Sequence, residues 1–476
     1  MQLPNAPGAV SLNGAQTTTG IPVTWVAAAD GGLRSGYEVV YTPDSGSALA
    51  AVPEGSSATS SAGPTLIPGQ LYTIEVYAVS GTGGTKTQSA KMSTTVRTLP
   101  NAPGAVSLNG AQTTTGIPVT WVAAADGGLR SGYEVVYTPD SGSALAAVPE
   151  GSSATSSAGP TLIPGQLYTI EVYAVSGTGE DKTQSAKMST TVRTLPNAPG
   201  AVSLNGAQTT TGIPVTWVAA ADGGLRSGYE VVYTPDSGSA LAAVPEGSSA
   251  TSSAGPTLIP GQLYTIEVYA VSGTGEDKTQ SAKMSTTVRT LPNAPGAISL
   301  NGAQTTTGIP VTWVAAADGG LRSGYEVVYT PDSGSALAAV PEGSSATSSA
   351  GPTLVPGQLY TIEVYAVSGT GEDKTQSERM STTVRTLPNA PGAVSLNGAQ
   401  TTTGIPVTWV AAADGGLRSG YEVVYTPDSG SALAAVPEGS SATSSAGPTL
   451  IPGQLYTIEV YADDMAEMFI KESNST

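Results

Sequence analysis

Apolar and polar side chains alternate along this chain with a period of two residues, which is how a strand places successive side chains on opposite faces of a sheet. Ile21–Val26 carries Val23 and Trp25 on one face, and Tyr37–Thr42 carries Tyr37, Val39 and Tyr41. Leu71–Val79 adds Tyr72, Ile74, Val76 and Ala78. These residues form the expected core, together with Leu66. Weaker alternation predicts strands at Ala9–Leu12, Ala48–Val52, Ala58–Ala62 and Lys91–Thr98, which brings the set to seven. Turn residues stand between them: Asp30-Gly31-Gly32, Asp44-Ser45-Gly46, and Pro68-Gly69, where Pro presets φ and Gly supplies the positive φ of a type II turn. Pro4 and Pro7 lack an N–H donor and keep the first strand from offering an open edge to neighbouring molecules. No long helical pattern intervenes.

The whole pattern then repeats. Trp25, Trp121, Trp217, Trp313 and Trp409 fall at a constant step, 121 − 25 = 96 residues. Solenoid units run about 20 to 50 residues, so a unit this long has its own core, and the chain reads as beads on a string. The expected units are 3–98, 99–194, 195–290 and 291–386, then a truncated fifth at 387–462 and a divergent tail at 463–476. The fifth copy follows the pattern through Tyr461 and Ala462 and then departs, so it lacks the last strand; Met468–Ile470 is a short substitute. Linkers such as Thr98-Leu99-Pro100 are brief, which implies semi-rigid connections.

Composition narrows the chemistry. Charged residues make up 11% of the chain, with 36 acidic against 18 basic and a formal charge of −18, so phosphate backbones are repelled and no nucleic-acid partner is expected. Cysteine and histidine are both absent, which removes disulfides, thiolates, the usual zinc ligands and imidazole acid–base chemistry. No apolar stretch reaches membrane-spanning length, so no membrane insertion is expected within the chain. The first copy starts directly behind Met1 and Gln2, which fits either a cytoplasmic chain or a fragment without its signal.

An ordered set of residues resembles the fibronectin type III family, a seven-stranded β-sandwich: Pro4 or Pro7, Trp25, Tyr37-Glu38-Val39-Val40-Tyr41, and the run from Leu66 through Pro68-Gly69-Gln70-Leu71-Tyr72 to Val79. The resemblance covers copies one to four and most of copy five. It implies an all-β chain of five tandem sandwiches, the fifth without its last strand. Tyr72 looks like the family's tyrosine corner, with Leu66 packed beside it. Tyr77-Ala78-Val79-Ser80-Gly81 is similar to the strand before the integrin-binding loop of fibronectin, but no Arg-Gly-Asp follows: Thr82-Gly83-Gly84-Thr85 stands there in copy one and Thr178-Gly179-Glu180-Asp181 in copy two. The cytokine-receptor motif Trp-Ser-x-Trp-Ser is also missing.

Three constellations bear on function. Glu38 and Glu75 fall on the outward face of strands that the resemblance makes neighbours, yet paired carboxylates need a pocket and split pKa values to act as acid and base, and an open face favours a solvated surface. No catalytic residue and no cofactor is therefore expected. The pairs Glu180-Asp181, Glu276-Asp277 and Glu372-Asp373 fall short of the roughly six to eight oxygens that calcium takes, so they read as polar hairpin loops, with protein binding as the functional alternative. The outward face also carries Val40, Tyr77 and Val79, a mixed patch that is ordinary for a protein surface.

Differences among the copies are few. Val10 becomes Ile298 and Ile67 becomes Val355, changes of one methylene that a core tolerates at about 1 kcal/mol. Gly84-Thr85 becomes Glu180-Asp181, and Ala90-Lys91 becomes Glu378-Arg379, so chemical change gathers in or beside the last hairpin loop. The resemblance implies an extracellular or cell-surface spacer or adhesion protein binding other proteins. The alternatives are a receptor ectodomain and the spacer array of a multidomain hydrolase. Asn474-Ser475-Thr476, the sole glycosylation sequon, stands at the extreme end.

Overall fold

The computed structural model describes residues 3–29, 34–125, 129–221, 225–317, 321–413 and 417–463. The Asp30-Gly31-Gly32 turn, the tail beyond Asp463 and the Asn474 sequon lie outside the described residues. In the first copy the strands are β1 (Val10–Leu12), β2 (Val23–Trp25), β3 (Gly36–Pro43), β4 (Val52–Gly55), β5 (Ser60–Ser61), β6 (Leu71–Ser80), β7 (Thr87–Gln88) and β8 (Met92–Arg97). One sheet has the order β1-β2-β5; the other runs β4-β3-β6-β7, with β8 also on β6. Every pairing is antiparallel. The same two sheets recur in copies two to four, so the chain is an all-β series of sandwiches.

β7 and β8 are one strand broken in the middle. At the break the Ser89 N–H donates to the Ala78 carbonyl at 2.9 Å and the Ser89 hydroxyl accepts from the Ala78 N–H at 3.0 Å, which carries the ladder across the irregular residues. Counted that way, each sandwich has seven strands. Alternation along β2, β3 and β6 sends Val23, Trp25, Tyr37, Val39, Tyr41, Tyr72, Ile74, Val76 and Ala78 into one cluster with Ile21 and Leu66. Fully burying an aliphatic or aromatic side chain stabilises by about 1.5–3 kcal/mol, so this cluster sets the fold.

The tyrosine hydroxyls of the core are hydrogen-bonded, whereas the buried indole N–H of Trp25 meets no acceptor among the described residues. Tyr41 donates to the Ile21 carbonyl at 2.9 Å, and Tyr37 accepts from the Ala28 N–H at 2.9 Å. Tyr72 accepts from the Ile67 N–H at 3.1 Å, the geometry of a tyrosine corner. Trp25 tilts against Tyr37 at 5.2 Å, and the Arg34 guanidinium lies over the Tyr37 ring at 4.9 Å.

Several expectations shift. The strand expected at Ala48–Val52 lies at Val52–Gly55, because its register is fixed by Gly36 opposite Gly55 and Val39 opposite Val52. Pro53 is tolerated there since β4 is an edge strand. Ile67 is 52% exposed, so its change to Val355 is a surface substitution and not a core one. Val79 leaves the expected outward patch: it is buried between its register neighbours Gly36 and Gln88.

The fifth copy has the strands Val394–Leu396, Val407–Trp409, Gly420–Pro427, Val436–Gly439, Ser444–Ser445 and Tyr456–Asp463. Among the described residues Tyr456–Asp463 pairs only with Gly420–Pro427, whereas its counterpart β6 is flanked on both sides. Ile458 and Val460 accordingly drop from buried to partly buried, and Leu455 is 71% exposed.

Candidate functional site

The acidic hairpin loops fold as single 3-10 turns, Gly179–Asp181, Gly275–Asp277 and Gly371–Asp373, with the glutamate and aspartate side chains exposed. Gly179 has φ +60°, a left-handed conformation that a side chain would resist. Each turn sits at a junction between copies. The Arg97 Nε donates to the Asp181 carbonyl at 3.2 Å while its Nη1 donates to the Gly69 carbonyl at 3.0 Å, so one guanidinium ties the end of copy one to the loop of copy two. The Thr183 hydroxyl adds a bond to the Thr98 carbonyl at 3.3 Å. Arg193 with Asp277 and Arg289 with Asp373 repeat the arrangement at the next two junctions.

The junction also packs. A Cβ built on Gly69 would lie 2.6 Å from the Ser176 hydroxyl and 3.0 Å from the Leu129 carbonyl of the next copy. Ser176 is fully buried there, whereas its counterpart Ser80 in copy one is partly exposed. Between copies four and five the arrangement changes. Arg385 still donates through Nη1 to the Gly357 carbonyl at 2.8 Å, but its buried Nε meets no acceptor among the described residues. An open cleft of about 320 Å3 lies beside it, lined by Gly357, Gln358, Arg385 and Leu417.

The carboxylates on the sheet face do not form a pair. Register places Glu38 opposite Tyr77 and Glu75 opposite Val40. Glu38 is held by Lys86 and by Gln88 Nε2 at 2.7 Å; Glu75 is held by Lys91 and accepts from the Tyr77 hydroxyl at 2.9 Å. The Lys91 ammonium bonded to Glu75 holds its carboxyl below the usual value, the opposite of what a general acid needs. Among the described residues no three acidic side chains converge on a point that would hold a metal ion.

Arg97, Arg193 and Arg289 were not singled out by sequence reasoning. Their acceptors are backbone carbonyls 84 residues downstream, and a carbonyl has no signature in a sequence.

The fibronectin type III domain family model matches residues 5–95, 101–191, 197–287 and 293–383, which is most of the chain. Among curated proteins the chain is similar to human receptor-type tyrosine-protein phosphatase H, 29% identical over 461 residues, covering 94% of this chain and 38% of that protein. Human tenascin-N is 27% identical over 431 residues, covering 90% of this chain and 31% of its own length. The chain thus spans well under half of these relatives. Among solved structures, a two-domain fibronectin type III segment of chicken tenascin aligns at 23% identity and a TM-score of 0.31, covering 40% of this chain and all of that one.

Proposed function

Because the chain belongs to the fibronectin type III family, we propose that it is a non-enzymatic, extracellular or cell-surface spacer whose loops and sheet faces meet other proteins. The observation that carries this reading is the repetition of one sandwich whose interior is filled by its own side chains, leaving loops and faces as the recognition surface. The units are proposed at 3–98, 99–194, 195–290 and 291–386, with a truncated unit at 387–462 and a separate tail at 463–476. Within them Glu180, Asp181, Glu276, Asp277, Glu372 and Asp373 are the proposed protein-binding side chains, being exposed on turns held by rigid neighbours. A net charge of −18 disfavours nucleic acid as a partner.

A receptor ectodomain is the second reading, favoured by the 29% identity to a receptor-type phosphatase. Both readings require length. Strands of about eight residues at roughly 3.3 Å each give about 30 Å per copy and a rod of very roughly 150 Å. Small-angle scattering should report that maximum dimension, and a compact particle would refute the spacer reading.

A further inference from the structure

We propose that Arg97, Arg193 and Arg289 are locks that make the end of each copy a head-to-tail interaction surface whose partner is the hairpin turn of the following copy. The inference deepens the spacer reading, on which it rests, by naming what fixes one copy against the next.

Four observations converge. One guanidinium spans two carbonyls on different copies, Gly165 and Asp277 in the case of Arg193, at 3.0 and 3.2 Å. Charge-assisted bonds of this kind are stronger than neutral ones, and the planar fork of arginine fixes direction as well as distance. Two glycines leave room for it. A Cβ on Gly165 would meet the Ser272 hydroxyl at 2.6 Å, and one on Gly273 would meet the Arg193 Nε at 2.6 Å. Both have positive φ, so these positions reject side chains for backbone reasons as well. The hydroxyl of Thr279 closes the other side of the joint on the Thr194 carbonyl at 3.3 Å.

The geometry recurs at three junctions with the same donors and acceptors. The fourth junction is a natural comparison. It keeps the arginine, Arg385, and the glycine, Gly357, but among the described residues its Nε has no carbonyl to meet. Among the described residues the acidic pair occurs in the three turns whose backbone an upstream arginine bonds. The turn of copy one, Gly83–Thr85, is neutral and has no arginine bond among the described residues.

The lock accounts for a function that loop exposure alone does not: it sets a repeated angle between copies, so that loops several copies apart keep a defined spacing. A binder touching Glu276 or Asp277 then meets a turn whose backbone is held by the preceding copy.

The chain has no cysteine, so introduced thiols are unique labelling sites. Spin labels on Ser143→Cys and Ser239→Cys, both exposed, span the junction of copies two and three in the full chain. Pulsed dipolar spectroscopy should give one narrow distance. Arg193→Ala should lose that peak to a broad distribution. Arg193→Lys should lose it as well, since an ammonium cannot reproduce the two-carbonyl fork. Labels at Ser335→Cys and Ser431→Cys should give a broad distribution whether or not Arg385→Ala is present. Tryptophan fluorescence melting of each variant reports that the sandwiches remain folded. A peak that stays narrow in folded Arg193→Ala overturns the lock while leaving the spacer reading to the scattering experiment. A distribution already broad with Arg193 in place overturns it too.

Discussion

Tyr233→Phe in copy three separates two contributions of one hydroxyl. Tyr233 is fully buried and donates to the Ile213 carbonyl at 2.8 Å. Removing that donor near neutral pH leaves a buried carbonyl without its partner, which costs about 1 kcal/mol. For a domain of this size that lowers the midpoint by about 5 °C. Burial, with a smaller contribution from Glu246, pushes the Tyr233 hydroxyl up from 10.0 to about 12. The folded state therefore holds this proton more tightly than the unfolded chain. The resulting stability is complete below pH 10 and is lost as the pH rises through about 12. At about pH 11, one unit above the unfolded value, the loss is about 1.4 kcal/mol, trimmed by solvent screening to about 1 kcal/mol. Phenylalanine has no proton to lose, so the variant escapes that penalty. Copy two has the same sequence as copy three and serves as an internal reference within one molecule. Calorimetry of the full chain should show copy three melting as a separate low-temperature transition near pH 7 and merging with copy two near pH 11. A gap of the same size at both pH values would refute the reasoning.

Lys187→Ala removes the partner of Glu171 on an exposed sheet face and should lower the melting midpoint only slightly, since solvent screens an exposed ion pair. Because Lys187 holds the Glu171 carboxyl below 4.5, that contribution is present above pH 4.5 and fades as the pH falls through the lowered value, which melting curves in acid will check. Copy five, 387–462, should melt below copy three by several kcal/mol out of the roughly 5 to 15 that domains possess. Hydrogen exchange at 455–462 should be fast, and protection equal to that of Leu263–Ser272 would contradict it. For any matrix or cell-surface protein found to bind the array, replacing Glu180 and Glu276 by Gly and Asp181 and Asp277 by Thr should weaken binding and flatten its salt dependence. Titration calorimetry at two ionic strengths reads both.

The sandwich was legible because β2, β3 and β6 carry strict alternation of large apolar residues, and one aromatic marker per copy exposes the period. The same rule misplaced β4, where Ala48–Val52 alternates weakly and the pairing is decided by its neighbour β3. It missed β7, whose Thr87 and Gln88 are polar and too few to show a period. The acidic turns were visible as a cluster of sequence differences among copies. Their engagement with Arg97 and its counterparts was not, because it depends on where one copy ends in space relative to the next.

The identity of neighbouring strands has a kinetic consequence. Met188–Arg193 and Met284–Arg289 have the same sequence, so either would form the same ladder on Leu167–Ser176. The correct strand lies 188 − 176 = 12 residues downstream and the wrong one 284 − 176 = 108. Loop closure favours the nearer by about 2 kcal/mol, roughly a thirtyfold bias in partition. Refolding after forced extension should therefore leave a small fraction of molecules with strands exchanged between adjacent copies, a misfold that tandem proteins are known to populate.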